Sequence, residues 1–297
     1  KSTWFFQVNE DFGSFDSTPE IKAKVDEILE GAESELDSIT RLTHWCGDEI
    51  RYSGISMGEG EGFTLHKGEM TFRDRCGVCK DKAGMLITML RAAGFESYPA
   101  MTMAGSRIDY IPADQFNHCV TVIKRQNGEY QLLDPTWVPF LRELWSSAEQ
   151  QQQYLMGIPE GADLATTPVS DPENHYLNMT ASSKLDENGT LKGKITIEAE
   201  GQSDGAVRRL FKYSNKTHWD QNVEREFLKI HPKAKVTALE YGNPEDYLSG
   251  PVKLEISYEI PEYAIVAENT VFFTPLLAAQ FLKFAQSHLY TNTDEEE

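Results

Sequence analysis

The stretch that most constrains this chain is residues 76–94, which read CGVCKDKAGMLITMLRAAG. Val78, Leu86, Met89, Leu90 and Ala93 recur near the helical period, and Gly94 follows as a stop. The spacing predicts a helix of about three to four turns with Cys79 in or just before its first turn. Free N–H groups and the positive dipole end at a helix start stabilise a thiolate, the nucleophilic form of cysteine. Cys79 is therefore expected to be a nucleophile, one half of a redox pair, or a metal ligand.

The preceding segments frame this helix. The aromatic residues of 1–17 (Trp4, Phe5, Phe6, Phe12, Phe15) predict an extended arm packed on something, taken as the remnant of a preceding domain. Thr18-Pro19-Glu20 is a helix start, with an N-cap residue followed by proline in the first turn. Ile21, Val25, Ile28 and Leu29 continue that helix, and Leu36, Ile39, Thr43, Cys46 and Ile50 give a second one. The glycine-rich residues 53–75 predict a long loop and a plausible cleft wall. It is not a phosphate loop, because Glu59 and Glu61 would repel the anion and no Gly-Lys-Ser/Thr follows.

After the cysteine helix, 96–103 and 117–124 predict strands. Gln126-Asn127-Gly128 is a hairpin turn and 130–134 the return strand, stopped by Pro135. His118 opens one strand and Asp134 closes its antiparallel neighbour, so the two ends away from the turn lie side by side. Residues 143–155 predict a helix. The Pro- and Gly-bearing 158–173 is expected to be a linker. Beyond it come strands at 176–184, 191–201, 236–241, 252–260 and 263–273, one long or two short helices at 204–230, an apolar helix or strand-plus-helix at 276–288, and a loose acidic end.

With 297 residues the chain suits two domains of ordinary size. Its net charge of −19 repels phosphate backbones, so a nucleic-acid partner is set aside. No run of about 18 apolar residues marks a membrane span. Lys1 opens the sequence without an initiator methionine or apolar leader, as expected of a processed or partial chain. The cysteines, Cys46, Cys76, Cys79 and Cys119, all lie in the first half, which argues against a disulfide framework for the whole.

Cysteine catalysis needs a thiol, a base for its proton and a group that orients the base. Cys79, His118 and Asp134 supply these types in that order. Each residue alone is ordinary; their joint placement is what points to chemistry. Gly77-Val78-Cys79-Lys80-Asp81-Lys82-Ala83, then Phe116-Asn117-His118, then Leu133-Asp134-Pro135-Thr136, resembles the transglutaminase-like superfamily, and in particular its bacterial branch with flanking β-rich domains. Trp45, Ile50-Arg51-Tyr52 and Ala92–Gly94 also fit. The resemblance covers about 36–140 well and thins into the second half. It implies a papain-like triad of Cys79, His118 and Asp134 and an exported, periplasmic or cell-surface protein. Val78 departs from the Asp that many relatives carry, at a position outside the triad. An N-terminal β domain usual in the branch is expected to be missing.

An oxyanion hole needs donors aimed at the developing charge. The Cys79 backbone N–H is the first expected donor, with Trp45 or Tyr52 as the second, although core packing is the commoner fate of such aromatics. Two competing readings are weaker. Cys76-x-x-Cys79 is also a redox pattern, but the polar lead-in Met70–Arg75 is not the apolar strand that pattern expects. A zinc site from His44, Cys46, Cys76 and Cys79 has the right ligand types, yet ligands at i and i+2 of a helix point apart.

The expected fold is α+β: a transglutaminase-like core of helices on a small antiparallel sheet at 18–157, a linker at 158–173, and a β-rich domain with an inserted helix at 174–297. The expected function is thiol-dependent hydrolysis of a protein or peptide amide. A cross-linking transglutaminase and a non-catalytic protein- or glycan-binding module that keeps the triad are the alternatives. No cofactor or metal is expected, since the triad needs none and no calcium loop is visible.

Overall fold

The computed structural model describes residues 1–53, 62–108, 114–139, 141–212 and 214–276. The chain divides into two compact units, Lys1–Pro139 with Glu143–Val169, and Phe140–Arg142 with Ser170–Glu297. No helix among the described residues is long and apolar enough to cross a membrane.

In the first unit, helices α1 (Ser2–Phe12), α2 (Pro19–Ile28) and α3 (Glu35–Glu49) precede a two-residue strand β1 (Arg51–Tyr52). Helix α4 (Gly68–Asp74), strand β2 (Cys76–Gly77) and helix α5 (Cys79–Ala92) follow. The strands β3 (Ser97–Thr102), β4 (His118–Lys124), β5 (Tyr130–Leu133), β6 (Gln153–Met156) and β7 (Ala165–Thr166) form one antiparallel sheet in the order β5-β4-β3-β6-β7.

Helix α5 is the centre. Residues 81–90 are all buried, as befits a helix covered on every side. Met85, Leu86, Met89 and Leu90 pack with Ile21, Val25, Ile39 and Leu42 of α2 and α3, while Ala83 and Ile87 meet Phe5, Met101 and Cys119. Complete burial of Met85, Leu86, Ile87, Met89 and Leu90 contributes on the order of 10 kcal/mol of transfer free energy as an upper bound. The polar groups on this helix are bonded. Lys82 Nζ donates to the carbonyls of Gly47 (2.8 Å) and Ile50 (2.6 Å), and Thr88 Oγ1 donates to Gly84 O. The ammonium thus closes the carbonyl end of α3, where the helix dipole favours a cation.

Several expected segments take other forms. Residues 2–12, expected as an extended arm, are helix α1. Its buried side is Ser2, Phe5 and Asn9, and Gly13 at φ 71° closes it. The Asn9 amide bonds Phe63 O and accepts from Leu65 N (2.7 Å), a tertiary reward that the aromatic run does not advertise. Within the expected loop 53–75, residues 68–74 form α4, and 54–61 lie outside the described residues. Gly68 is needed there because a Cβ would sit 2.4 Å from Thr88 Oγ1 of α5; packing, rather than helical propensity, makes this turn. Residues 143–155, expected to be a helix, give a 3-10 turn at Ser147–Glu149 and strand β6. Gln151 breaks the run at φ 59°, and β6 takes the open edge of β3, with Ala100 opposite Met156. The expected linker 158–173 carries β7, whose Ala165 pairs with Tyr154 of β6.

In the second unit, β8 (Leu177–Leu185), β9 (Leu191–Ala199), β10 (Lys235–Glu240) and β11 (Val252–Ile260) form an antiparallel sheet ordered β10-β11-β9-β8. Ile195, Ile197, Leu254 and Ile256 share a core with Val207 and Phe211 of α6 (Gln202–Lys212) and Val223 and Phe227 of α7 (Trp219–Phe227). Of the two readings for 204–230, two short helices is therefore the one found. Buried Arg208 of α6 bonds Asp204 and the carbonyls of Pro244 (2.7 Å) and Gly250 (2.8 Å). The single strand expected at 263–273 is a hairpin of β12 (Ile265–Ala267) and β13 (Thr270–Phe272), because Glu268, at φ 42°, and Asn269 supply a two-residue turn. The helix expected at 276–288 falls outside the described residues beyond Leu276.

Candidate active site

Cys79 occupies the first position of α5. The turn before it depends on Asp81, whose Oδ2 accepts from the Val78 N–H (2.8 Å) and whose Oδ1 bonds His66 Nδ1 (2.7 Å). Val78 has no side-chain acceptor, so this backward bond from Asp81 is the side-chain half of the cap. It also explains Gly77, where a Cβ would stand 2.4 Å from Asp81 Cβ. The motif around the cysteine therefore builds a helix start with the thiol at its positive end.

The hairpin delivers the other two groups. Strands β4 and β5 pair with Thr121 opposite Leu133, so one step further Asp134 faces Val120 and lies diagonal to His118 on the same face. The His118 Nε2–H donates to Asp134 Oδ2 at 2.9 Å, and both residues are buried. Asp134 Oδ1 accepts from the Thr136 N–H (2.8 Å), which fixes the carboxylate plane. With Nε2 taken, Nδ1 is the ring nitrogen left for Cys79, and His118 hydrogen-bonds that sulfur.

The electrostatics follow from these contacts. Burial alone would push the Cys79 thiol up. The hydrogen bond and charge of His118, with the backbone N–H groups of Cys119 and Lys80, outweigh it and bring the thiol below its ordinary value. Burial would likewise push His118 down. The Asp134 charge and hydrogen bond, the Cys79 bond and the Glu149 charge outweigh it and raise the imidazole well above its ordinary value. Both directions favour a thiolate–imidazolium pair. The other thiols differ. Burial pushes Cys46 up to about 12 and Cys119 well above the ordinary range.

Tyr52 reaches this site. Tyr52 is 54 % exposed, and its hydroxyl is close enough to Cys79 to feel both the backbone N–H and the charge of that residue. Burial of the hydroxyl and the Cys79 charge raise it above the usual phenol value. Trp45 is engaged differently: its indole stacks on Phe72 (6.0 Å between ring centroids) with the Arg75 guanidinium 4.5 Å over it. Of the two aromatics weighed as oxyanion donors, the structure brings Tyr52 beside Cys79 and gives Trp45 to a stack.

The zinc quartet considered above is not assembled. Among the described residues, the group of His, Cys or carboxylate side chains close enough to share a cation is His118, Asp134 and Glu149, with atoms within 4.8 Å of one another. A metal requires lone pairs converging on one point about 2 Å away. Here His118 Nε2 and Asp134 Oδ2 are aimed at each other, with a proton between them. The donor set fits a proton network better than a metal centre. His44 is buried and held neutral, its imidazole lowered to about 4 by desolvation. Cys76 and Cys79 are both free thiols.

Glu149 is the member that the sequence did not disclose. It sits in the polar run Ser146-Ser147-Ala148-Glu149-Gln150, within the stretch 143–155 expected to be a helix. No local signal marks it, because its burial comes from the sheet edge that β6 joins. His66 was likewise hidden in a stretch read as loop.

Residues 22–135 match the model of the transglutaminase-like superfamily. No curated protein matches the chain. Several solved structures are similar to it, three of them as follows. A candidate cysteine protease from Cytophaga hutchinsonii is 19% identical over 42% of this chain and 39% of its own, with a TM-score of 0.33. A candidate protease from Parabacteroides distasonis is 12% identical over 99% of this chain and 57% of its own, with a TM-score of 0.42. The periplasmic domain of TgpA from Pseudomonas aeruginosa is 21% identical over 40% of this chain and 42% of its own, with a TM-score of 0.31. In each case the match spans less than two thirds of the solved chain.

Proposed function

We propose that the transglutaminase-like core at residues 22–135 of this chain is a cysteine acyl-transfer centre that hydrolyses a protein or peptide amide. The observation that carries this reading is the meeting of three separate motifs at the start of α5. His118 spends Nε2 on Asp134 at 2.9 Å and turns its other face to Cys79.

In the proposed cycle the Cys79 thiolate attacks the substrate carbonyl and forms a C–S bond. The developing oxyanion is met by the Cys79 N–H and the Tyr52 hydroxyl. His118 gives its Nδ1 proton to the amine nitrogen as the C–N bond breaks, leaving a thioester. His118 then takes a proton from water, whose hydroxide attacks the thioester; the C–S bond breaks, the carboxylic acid leaves, and the freed thiolate beside the protonated His118 restores the thiolate–imidazolium pair. Asp134 keeps Nδ1 facing the sulfur and stabilises the imidazolium.

The test is incubation with a peptide library, with products read by mass spectrometry. Wild type is expected to generate new termini or Gln-to-Glu conversions, and Cys79→Ala none. Retained turnover in Cys79→Ala would sink the proposal. Product carrying an added primary amine in place of water would move the assignment to cross-linking. A complete lack of turnover, with no acyl-enzyme on Cys79, would move it to a binding module. For the oxyanion role, Tyr52→Phe is expected to lower kcat about 10- to 100-fold with little change in KM; an unchanged kcat would exclude the hydroxyl.

A further inference from the structure

We propose that Glu149 is a positioning residue for the reacting pair: a second carboxyl behind His118 and Asp134 that sets how firmly His118 holds its proton. The inference rests on the triad reading above and extends it to a group outside the three motifs.

The geometry is specific. Glu149 is buried, and one of its carboxylate oxygens lies within 4.8 Å of both a His118 ring nitrogen and an Asp134 oxygen. Its place is held from the backbone on both sides: its N–H donates to Ser146 O (2.9 Å), and its own carbonyl accepts from Thr167 Oγ1 (2.6 Å). Thr167 Oγ1 also accepts from the Gln152 N–H (2.9 Å). The Trp137 indole N–H donates to the carboxylate. The main chain of Glu149 is thus fixed behind the reacting pair, and the residue is only 6 % exposed.

The groups that face it come from each neighbouring element: His118 from β4, and Asp134 and Trp137 from the segment after β5. His118 in turn faces Cys79 of α5, Asp134, Glu149 and the Tyr52 hydroxyl of β1. Two carboxylates this close to one another resist joint ionisation. Burial, and then the Asp134 charge, raise Glu149 to about 7, against the opposing pull of His118 and Trp137. Below neutrality Glu149 is therefore protonated, and Asp134 alone faces the imidazolium. Above neutrality Glu149 loses its proton to water, and a second negative charge holds the His118 proton. That proton must pass to the leaving amine, so an ionised Glu149 acts as a brake. The sign is fixed: removing the Glu149 charge lowers the proton affinity of His118 and has no effect where Glu149 is already neutral.

The measurement is the pH titration of His118 ring signals by NMR in full-length protein labelled at histidine, wild type against Glu149→Gln. The amide keeps the size and the acceptor for Trp137. In wild type, His118 is expected to stay cationic across pH 6–8 and to show a second inflection near pH 7 from its neighbour. In Glu149→Gln that inflection disappears, and His118 deprotonates about one pH unit or more lower. Thermal melts control for damage to the fold, and Glu149→Asp, which keeps a charge on a shorter stem, is expected to retain an inflection. If His118 is cationic in both proteins with one unchanged curve, Glu149 has no such role. If His118 is neutral at pH 7 in wild type, the triad reading itself fails, and the two failures are told apart.

Discussion

Alkylation of Cys79 by iodoacetamide is expected to fall off far less between about pH 8 and 6 than that of an ordinary thiol, which slows roughly 100-fold over the same range. An isolated cysteine reacts through its thiolate fraction, which falls tenfold for each pH unit below its pKa. At Cys79 the thiol is brought below its ordinary value by His118 and by the N–H groups of Cys119 and Lys80, against the opposing effect of burial, so a larger thiolate share survives at lower pH. His118→Ala removes the largest favourable partner and leaves burial, which opposes charge. Its Cys79 rate at pH 6 is expected to drop about 100-fold and to regain the ordinary slope. Peptide mass spectrometry resolves each of the four cysteines, and Cys46 and Cys119 serve as internal references, since burial raises both. An ordinary slope at Cys79 in wild type would remove the ion pair. Equal and linked reaction of Cys76 and Cys79, or their joint loss under mild oxidation, would favour the redox alternative.

The second large effect is structural. Lys82→Met is expected to lower unfolding free energy by about 2–4 kcal/mol, which shifts Tm down by roughly 5–15 °C. Lys82 is 2 % exposed, and its ammonium donates to the carbonyls of Gly47 and Ile50. Methionine nearly matches the stem and recovers the cost of burying a charge. It cannot replace the donors, and two backbone carbonyls at the end of α3 are left with no way to reach water. Those acceptors belong to the main chain and cannot be substituted away, so orphaning them outweighs the desolvation saved. A urea titration checks this; a change below about 0.5 kcal/mol would show that the carbonyls find other partners.

The elements that announced themselves did so through local chemistry. Thr18 accepts from Ile21 N at the start of α2, and Gly94, at φ 90°, follows α5. The hairpin turn at Gln126-Asn127-Gly128 by itself brings His118 beside Asp134. The elements that stayed hidden are those whose reasons lie far away in sequence. Helix α1 is held through Asn9 by residues 63–65, α4 by contact with Thr88, and β6 by the free edge of β3. Glu149 belongs with these. A glutamate in a polar run has no local mark of burial, and it enters the site because the strand after it joins the sheet. Trp45 shows the limit of local spacing as a guide. An aromatic two turns from a motif looked available to the site, and a stack with Phe72 and Arg75 takes it instead.

The smallest ladder in the molecule has a consequence for how such a chain can diversify. Strands β1 and β2 pair in parallel for two residues, Arg51 with Cys76 and Tyr52 with Gly77, and the Ser53 N–H continues to Gly77 O (2.8 Å). Parallel pairing obliges the intervening chain to make a long excursion, and the ladder clasps that excursion at its base. Tyr52 and Cys79 therefore keep their mutual position through the clasp, independently of the residues between. Where a loop is closed at its base, each doubling of its length costs only about 0.6 kcal/mol. Phe63, Leu65 and His66 are held separately, by Asn9 and Asp81, so a change of chain length between Ser53 and Phe63 would leave both these anchors and the reacting groups in register.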